Sequence, residues 1–234
     1  MATTTSDDCT GMMAFWADID PDYVLRYQRW HNCEHVPERV SIPGFVEGRR
    51  YRNIDDKPRF LMFYDTQSTS VLSSDAYMAA LNKPTPWTRE ALTHFRNPTR
   101  DIFSRLAIAG QRGKFTAPYI TSLRFDLPEG VAEQYINRWI HEVVKQKNVE
   151  RVRLYETDSA IANAATSERK VHGGGPGKQR YLVLIEESEP LATDEDNNIK
   201  RADDASGEDV QRQNEECSRY WLEVSHTKNE SQAQ

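Results

Sequence analysis

Two short runs of apolar residues stand out along the chain, because neither shows the alternation of a half-exposed strand. The run Arg59-Phe60-Leu61-Met62-Phe63-Tyr64-Asp65 matches Arg180-Tyr181-Leu182-Val183-Leu184-Ile185-Glu186 in residue type at every position except Tyr64 and Ile185. Continuous apolar runs of this length predict strands buried on both faces of a sheet. Their similarity in residue type indicates an internal repeat.

The segments before each run follow one order in both halves. A strand-like segment comes first, then a proline, then a helical segment with an Arg-Trp pair, and then a second strand that ends in a tyrosine. In the first half these features are Met12 to Ile19, Pro21, Arg29-Trp30 and Tyr51, and in the second half Tyr119 to Leu127, Pro128, Arg138-Trp139 and Tyr155. Both halves therefore predict the order βαββ.

The predicted halves differ after the third strand. In the first, a helix from about Ser74 to Phe95 precedes a last strand, Arg100 to Ile108. In the second, a helix from about Gly207 to Val224 leads into a polar tail, so a last strand is not expected. Two polar stretches, Ser159 to Gly177 and Glu186 to Ser206, are interpreted as mobile loop insertions.

These elements predict an α+β fold built from two tandem ferredoxin-like βαββ(αβ) units. We expect the first unit at residues 11–112 and the second at 113–226, with disordered ends at 1–10 and 227–234. Two such sheets in one chain can cover each other's inner face, so we expect an intrachain, pseudo-symmetric barrel. A homodimer is expected only through outer surfaces.

Composition and charge exclude several partners. A formal net charge of -6 provides no basic surface for nucleic acid. No apolar run is long enough to cross a bilayer, and the first residues lack the features of a secretory signal. Three scattered cysteines without a CxxC pair suit reduced thiols better than disulfides. We expect a cytoplasmic protein that binds a small molecule and neither membrane nor nucleic acid.

The candidate chemistry is concentrated in the first predicted helix, which we expect to run from Asp22 to about Val36, where Pro37 ends or kinks it. His31, Glu34 and His35 lie three or four residues apart, within one broad helix face. When Trp30 is aligned with Trp139, the corresponding positions of the second half are Ile140, Val143 and Val144. Polar groups in place of core residues cost stability unless they line a polar cavity, so this helix predicts a pocket.

An imidazole suits proton transfer near neutral pH. We predict His35 as the general base or acid, with His31 and Glu34 as its catalytic partners. Its resting charge is left open, because the helix C-terminus favours the protonated form and burial opposes it.

The strand that follows supplies candidate anchors for an anionic substrate, because guanidinium groups hold carboxylates in bidentate fashion. Arg50 is predicted on one face of this strand and Arg49 and Tyr51 on the other, so only one set can face the pocket. The remaining predicted substrate-binding residues are aromatic: Trp30, Tyr64, Trp87 and His94.

Two other interpretations of the helix cluster stay open. The same side chains could form a structural hydrogen-bond network around a core Trp30. His31 and His35 also have a spacing that can hold a metal on a helix, but no third ligand is evident. We therefore predict no metal, and we expect activity to survive treatment with a chelator.

The string Trp30-His31-Asn32-Cys33-Glu34-His35-Val36-Pro37-Glu38, followed by Ile42-Pro43-Gly44-Phe45 and Gly48-Arg49-Arg50-Tyr51, resembles the EthD-like branch of the dimeric α+β barrel superfamily. The resemblance covers about forty residues. It implies a small cofactor-independent enzyme, such as a decarboxylase, dehydratase, lactone isomerase, cyclase or quinone-forming monooxygenase, acting on aromatic or unsaturated organic acids.

The leading hypothesis is a cofactor-independent lyase or isomerase acting on a small organic acid, lactone or phenol. A cofactor-free monooxygenase is the alternative within the enzymes, and oxygen consumption separates the two. A non-catalytic ligand-binding or stress-response module is the alternative from another class. Such a module would be stabilised by its ligand and return it unchanged.

Overall fold

The computed structural model describes residues 5, 7–55, 57–111, 117–129, 133–163, 165–190, 197–206 and 211–228. These residues divide into two compact units, neither of which is continuous in sequence. Unit 1 comprises 1–104, 157–177 and 222–234, and unit 2 comprises 105–156 and 178–221. This division differs from the predicted boundaries, because each unit takes part of its structure from a distant segment of the chain.

The described residues form eight strands and eight α-helices. The strands are β1 Gly11–Ile19, β2 Phe45–Asn53, β3 Phe60–Thr66, β4 Phe95–Gly110, β5 Tyr119–Asp126, β6 Val149–Thr157, β7 Tyr181–Glu187 and β8 Gln213–Thr227. The α-helices are α1 Val24–Trp30, α2 Val36–Ser41, α3 Asp75–Asn82, α4 Pro86–Leu92, α5 Glu133–Val143, α6 Ser159–Ala162, α7 Ser167–His172 and α8 Asn198–Ser206. A π-helical turn spans His31–His35, and a 3-10 helix spans Thr69–Ser73.

The sheet of unit 1 has the order β4-β1-β3-β2-β8. β1 pairs antiparallel with β3 and β4, and β2 pairs antiparallel with β3. One face of this sheet is largely apolar and packs with side chains of the helices in a single core. The strand residues of this core include Met13, Phe15, Phe60, Met62, Tyr64 and Ile102.

The sheet of unit 2 has the corresponding order β8-β5-β7-β6-β4. β5 pairs antiparallel with β7 and β8, and β6 pairs antiparallel with β7. Its core contains side chains of both α5 and α8, among them Trp139, Ile140, Val143, Ile199 and Ala202.

The predicted repeat is confirmed by the positions of β3 and β7. Each strand lies between two antiparallel partners, and all seven residues of each are buried. The two apolar runs therefore have the central, doubly covered positions that their lack of alternation predicts. The α+β class with tandem ferredoxin-like units is confirmed as well.

The predicted end of the second half is wrong. From Gln213 to Val224 the predicted helix is instead part of the strand β8, and residues 207–210 lie outside the described residues. The expected absence of a last strand is wrong for the same reason. Exposed polar residues such as Glu215 and Glu216 obscure the strand pattern, whereas pairing along β5, with Tyr119 opposite Trp221, determines the conformation.

Both stretches interpreted as loops contain helices. Ser159 to Gly177 forms α6 and α7, whose first turns are capped by the side chains of Asp158 and Thr166. Gly173 ends α7 in the left-handed conformation. The stretch from Glu186 to Ser206 contains the end of β7 and the helix α8, while residues 191–196 lie outside the described residues.

Smaller differences concern helix ends and termini. The helix predicted from Ser74 to Phe95 is two helices, α3 and α4, with Pro84 between them. Of the predicted disordered ends, residues 1–4, 6 and 229–234 lie outside the described residues. The backbone N–H and the hydroxyl of Thr10 both donate hydrogen bonds to the carbonyl of Gln67. No helix in the described part of the chain is long and apolar enough to cross a membrane.

Gly48 allows a helix and an aromatic ring to approach β2 closely. A Cβ atom at this position would lie 2.8 Å from Cε1 of Tyr64 and 2.9 Å from Cγ1 of Val36. Both neighbours are buried, so neither can move aside without disturbing the core. The absence of a side chain at Gly48 thus sets the distance between α2 and the sheet.

We predict that Gly48→Ala lowers the free energy of unfolding by about 1–3 kcal/mol, the usual cost of overpacking a core. Urea denaturation of the purified protein measures this change. Gly173→Asn is the matched control, because its position is open and asparagine tolerates the left-handed conformation. Equal stability of Gly48→Ala and the wild type would contradict this account of the close approach.

Candidate active site

The helix that carries the predicted cluster contains a π-helical turn at His31–His35. The backbone N–H of Val36 donates to the carbonyl of His31, five residues earlier, and Pro37 follows within the first turn of α2. The helix therefore continues through Pro37 to Ser41 rather than ending there. The corresponding helix of unit 2, α5, is α-helical over Glu133–Val143. Widened turns of this kind are frequent at functional sites.

A cavity of about 50 Å³ lies beside this turn, within unit 1. A single water needs about 10–15 Å³ by this measure, so the cavity admits a small ligand without rearrangement. It is lined by apolar residues and by a set of polar ones. The polar and aromatic lining includes Trp30, His31, His35, Arg39, Tyr64, Tyr77, Arg100, Thr166, Glu168 and His172.

Four of the predicted site residues line this cavity: Trp30, His31, His35 and Tyr64. The two imidazole centroids are 5.8 Å apart, and the indole of Trp30 lies 4.4 Å from the ring of His35. The hydroxyl of Tyr64 is 3.4 Å from Nε2 of His31. The Nδ1 atoms of both histidines are buried and have no hydrogen-bond partner among the described residues.

Both histidines are neutral at pH 7. Burial is the main cause that holds the pKa of His31 well below 6.5, and the charge of Arg50 adds to it. Burial likewise lowers the pKa of His35, with further contributions from Arg39 and His31. Burial therefore outweighs the helix dipole, which answers the question that the sequence left open. The pKa of the Tyr64 hydroxyl is raised by burial, so Tyr64 keeps its proton.

Glu34 does not face the cavity with the histidines. Its Oε1 accepts hydrogen bonds from the hydroxyls of Thr85 and Thr88, and Thr88 also accepts from the indole of Trp30. Thr85 is the N-cap of α4. Glu34 therefore holds α4 against the helix that carries the histidines.

The predicted arginine anchors also lie outside the cavity lining. Arg50 and Arg49 do face opposite sides of β2, as predicted, but each is paired within the protein. Arg50 donates to Glu223 and Asn32 at 2.8 Å, and Arg49 donates to Glu47 at 2.7 Å. Tyr51 lies on the side of Arg49, with 3.4 Å between its hydroxyl and the guanidinium. The structure gives these three residues no position from which to hold a ligand in this cavity.

His94 and Trp87 lie in structural contacts away from the lining. Nδ1 of His94 is 3.0 Å from a carboxylate oxygen of Asp20, and its ring stacks on Tyr23 with the centroids 3.7 Å apart. Trp87 packs against the core of unit 1, with the guanidinium of Arg26 at 6.0 Å from its ring centroid.

Sequence reasoning missed the polar residues that complete the cavity. Arg39 extends from α2, and a guanidinium nitrogen of Arg39 donates to Glu168, which is 129 residues away in sequence. Arg100 on β4 donates to the hydroxyl of Tyr77 at 3.2 Å. Glu168 and His172 lie on α7, in a stretch interpreted as a loop. Only the capping residue Thr166 and the terminal Gly173 marked that helix in the sequence.

His172 is held in one tautomer. Its Nδ1 accepts a hydrogen bond from the backbone N–H of Gly174 at 2.9 Å, so its proton is on Nε2. Burial, with the charges of Arg100 and Arg169, lowers the pKa of His172 to about 4. The cavity therefore contains three neutral imidazoles at pH 7.

The described residues contain no group of three or more His, Cys, Asp or Glu side chains arranged to hold a metal ion. Glu34, which lies between His31 and His35 in sequence, accepts hydrogen bonds from the hydroxyls of Thr85 and Thr88.

Comparison with protein-family models finds no match, and comparison with curated proteins finds none either. Comparison with solved structures finds several. A protein assigned as a monooxygenase from Lactobacillus acidophilus NCFM has a TM-score of 0.58 and 6% identity, over 93% of this chain and 96% of its own. An anthrone oxidase-like protein has a TM-score of 0.59 and 7% identity, over 96% and 95%.

A mutant chlorite dismutase from Candidatus Nitrospira defluvii has a TM-score of 0.53 and 12% identity, over 92% of both chains. These proteins share one architecture. The chain shares that α+β architecture. At these identities the likeness concerns the fold alone and agrees with the predicted α+β class, whereas the superfamily predicted from the helix motif stays a prediction.

The lowered pKa values of the cavity histidines predict how the free energy of unfolding depends on pH. Unfolded imidazoles bind protons below about pH 6.5, whereas folded His172 remains neutral down to about pH 4. Protons therefore favour the unfolded state, and we expect the free energy of unfolding to fall as pH decreases from 6.5 to 4. Urea denaturation at several pH values measures this decline.

His172→Asn keeps an acceptor for the N–H of Gly174 but removes the titrating group. The free energy of unfolding of this variant should therefore decline less steeply with falling pH than that of the wild type. His141→Asn, on an exposed position of unit 2, controls for the loss of an imidazole as such. Parallel curves for His172→Asn and the wild type would show that His172 does not contribute.

Proposed function

We propose that this protein is a cofactor-independent enzyme in which neutral His35 acts as a general base. The observation that carries the proposal is a pair of buried, neutral imidazoles with unpartnered Nδ1 atoms in a largely apolar cavity. A neutral imidazole can accept a proton, and the low dielectric of such a cavity strengthens its interaction with a charged intermediate.

The chain supplies distinct roles for the residues around His35. His35 removes a proton from a carbon or oxygen of the substrate. It then delivers this proton to another atom of the substrate in an isomerase reaction, or to the departing group in a lyase reaction. His31, through its contact with the Tyr64 hydroxyl, can relay a proton or donate a hydrogen bond to developing negative charge. Trp30 provides a flat wall beside His35.

The substrate class follows from the size and lining of the cavity. We propose a small, partly apolar organic acid, lactone or phenol, with which the EthD-like character of the helix motif agrees. A substrate of several fused rings would need more room than about 50 Å³, so it would require α7 or the neighbouring helices to move. In this proposal the imidazoles supply the chemistry and no cofactor takes part.

A cofactor-free monooxygenase is a second candidate, favoured by the names of two structurally similar proteins, one assigned as a monooxygenase and one anthrone oxidase-like. The same deprotonation by His35 would precede reaction of the substrate with dioxygen. The roles of His31 and Tyr64 would be unchanged.

We predict that His35→Gln lowers kcat by about 100-fold or more, because general acid–base catalysis contributes about 10²- to 10⁴-fold. Turnover is measured on whichever compound reacts in a panel of small unsaturated acids, lactones and phenols. His141→Ala in unit 2 is the control and should change kcat little. Equal losses in both variants would contradict the assignment of the site to unit 1.

The wild-type pH profile tests the same base. Since burial lowers the pKa of His35 below 6.5, its basic form persists as pH falls below that value. The acid limb of kcat/KM should accordingly lie below pH 6.5 and disappear from the residual activity of His35→Gln. An acid limb well above pH 7 would require a different base.

Dioxygen distinguishes the two enzymatic candidates. If the protein is a lyase or isomerase, we expect product formation under argon at the aerobic rate and no oxygen consumption at an electrode. Oxygen consumed in proportion to product would establish the monooxygenase instead. A panel compound that raises the melting temperature and is recovered unchanged would favour a non-catalytic binding module.

A further inference from the structure

Arg39 is a buried cation whose hydrogen-bonding capacity is only partly used. Its side chain is about 1% exposed and lines the cavity. Nη2 of Arg39 donates to Glu168, whereas Nη1 has no hydrogen-bond partner among the described residues. The carboxylate of Glu38 is 3.7 Å from Nη1. The buried arginines Arg49 and Arg50 also donate to carboxylates, but they do not line this cavity.

Unsatisfied donors of this kind are costly, because a buried charged group without a partner has lost its hydration. Arg39 is not the only such group in the lining, since Nδ1 of His31 and Nδ1 of His35 also have no partner in the described chain. Three unpartnered nitrogens around one small cavity indicate that a ligand supplies the missing hydrogen-bond partners.

The charged side chains in the lining indicate the sign of the charge on that ligand. The imidazoles of His31, His35 and His172 are neutral, so the ionised side chains are Arg39, Arg100 and Glu168. Two arginines and one glutamate leave one positive charge in excess. A ligand with a single negative charge would neutralise it.

We propose that the cavity binds the carboxylate of a small organic acid, with Arg39 as its anchor and specificity-determining residue. This inference deepens the proposed function and rests on it, since it concerns the ligand of the same cavity. A carboxylate oxygen of the ligand accepts a hydrogen bond from Nη1 of Arg39, and the carbon chain of the ligand lies against apolar lining residues such as Met13, Phe15 and Met62.

The position of Arg39 also selects the reacting atom. Arg39 and His35 are four residues apart on one helix and so lie on the same face, near enough for the charge of Arg39 to lower the pKa of His35. An acid held at Arg39 therefore presents to His35 the carbons near its carboxylate. A proton is removed most readily from the α carbon of a β,γ-unsaturated acid or from the γ carbon of an α,β-unsaturated acid, because both losses give a conjugated dienolate.

Glu168 competes with the ligand for the same guanidinium. Its carboxylate accepts a hydrogen bond from Nη2 of Arg39. Burial raises the pKa of the Glu168 carboxyl, and the charge of Arg39 lowers it. Replacing this carboxylate by a neutral amide should leave Arg39 more available to an anion. Glu168 thus limits the affinity for the acid while it keeps Arg39 paired in the empty cavity.

The experiment compares crotonate with crotonamide, which are small, have the same shape and differ in charge. Binding to the full-length protein is measured by calorimetry and by the shift in melting temperature. We expect the wild type to bind crotonate about 10-fold or more tightly than crotonamide, as hydrogen bonds to charged groups imply. Glu168→Gln should bind crotonate about 10-fold more tightly than the wild type.

The double variant Arg39→Met/Glu168→Gln removes both charges without leaving either unpaired, and it should bind the two compounds equally. Glu90→Gln, at the exposed pair with Arg26, is the control and should behave as the wild type. If the double variant does not fold, Arg39→Lys replaces it and should bind crotonate more weakly than the wild type, because the fork geometry is lost.

Several results would overturn the proposal: no binding of crotonate by the wild type, equal binding of the two compounds, weaker crotonate binding by Glu168→Gln, preserved discrimination in Arg39→Met/Glu168→Gln, or crotonate binding by Arg39→Lys as tight as that of the wild type. These measurements do not depend on turnover. Arg39-dependent binding of the acid without turnover of any panel compound would therefore disprove the enzymatic function while keeping the carboxylate site.

Discussion

The buried ion pair between Arg39 and Glu168 is the interaction on which the rest of the site depends. It joins two segments 129 residues apart in sequence and places α7 over the cavity beside His35. Other contacts hold α7 in the same place, such as the backbone N–H of Ser167 donating to Asn82 on α3 at 3.1 Å. A buried pair is weak evidence of net stability, because both charges lose their hydration. Its effect here is to define where α7 lies and which groups face the cavity.

The comparison of the two units shows what this arrangement costs. In unit 2 the helix α5 covers its sheet with Trp139, Ile140 and Val143, all buried and apolar. In unit 1 the related helix has Trp30 in the same role, but next to it are two imidazoles that burial keeps neutral. The π-helical turn occurs at those residues. Unit 1 therefore accepts buried polar groups and an irregular helix where unit 2 has an ordinary core, which is typical of a functional site.

Three charged residues near His35 in sequence have partners within the protein. Arg50 binds Glu223 and Asn32, Arg49 binds Glu47, and Glu34 binds two threonine hydroxyls. These contacts explain why residues with suitable chemistry near His35 in sequence do not take part in the cavity. A titratable side chain is a candidate for function only where its partners leave part of its hydrogen-bonding capacity unused, as at Arg39, His31 and His35.

The sequence by itself determined the repeat, the βαββ order of each half, the central positions of β3 and β7, and four residues of the cavity: Trp30, His31, His35 and Tyr64. These features follow from local periodicity and from polar residues in a helix face that the second half keeps apolar. Only the tertiary structure decided that residues 213–227 form a strand, since pairing with β5 overrides their polar pattern. It also decided that Glu34, Arg49, Arg50, Tyr51, Trp87 and His94 lie outside the cavity lining and that Arg39, Arg100, Glu168 and His172 lie in it. The physical reason is that the direction of a side chain follows from the local backbone, whereas its hydrogen-bond partner depends on which distant segment the fold brings beside it.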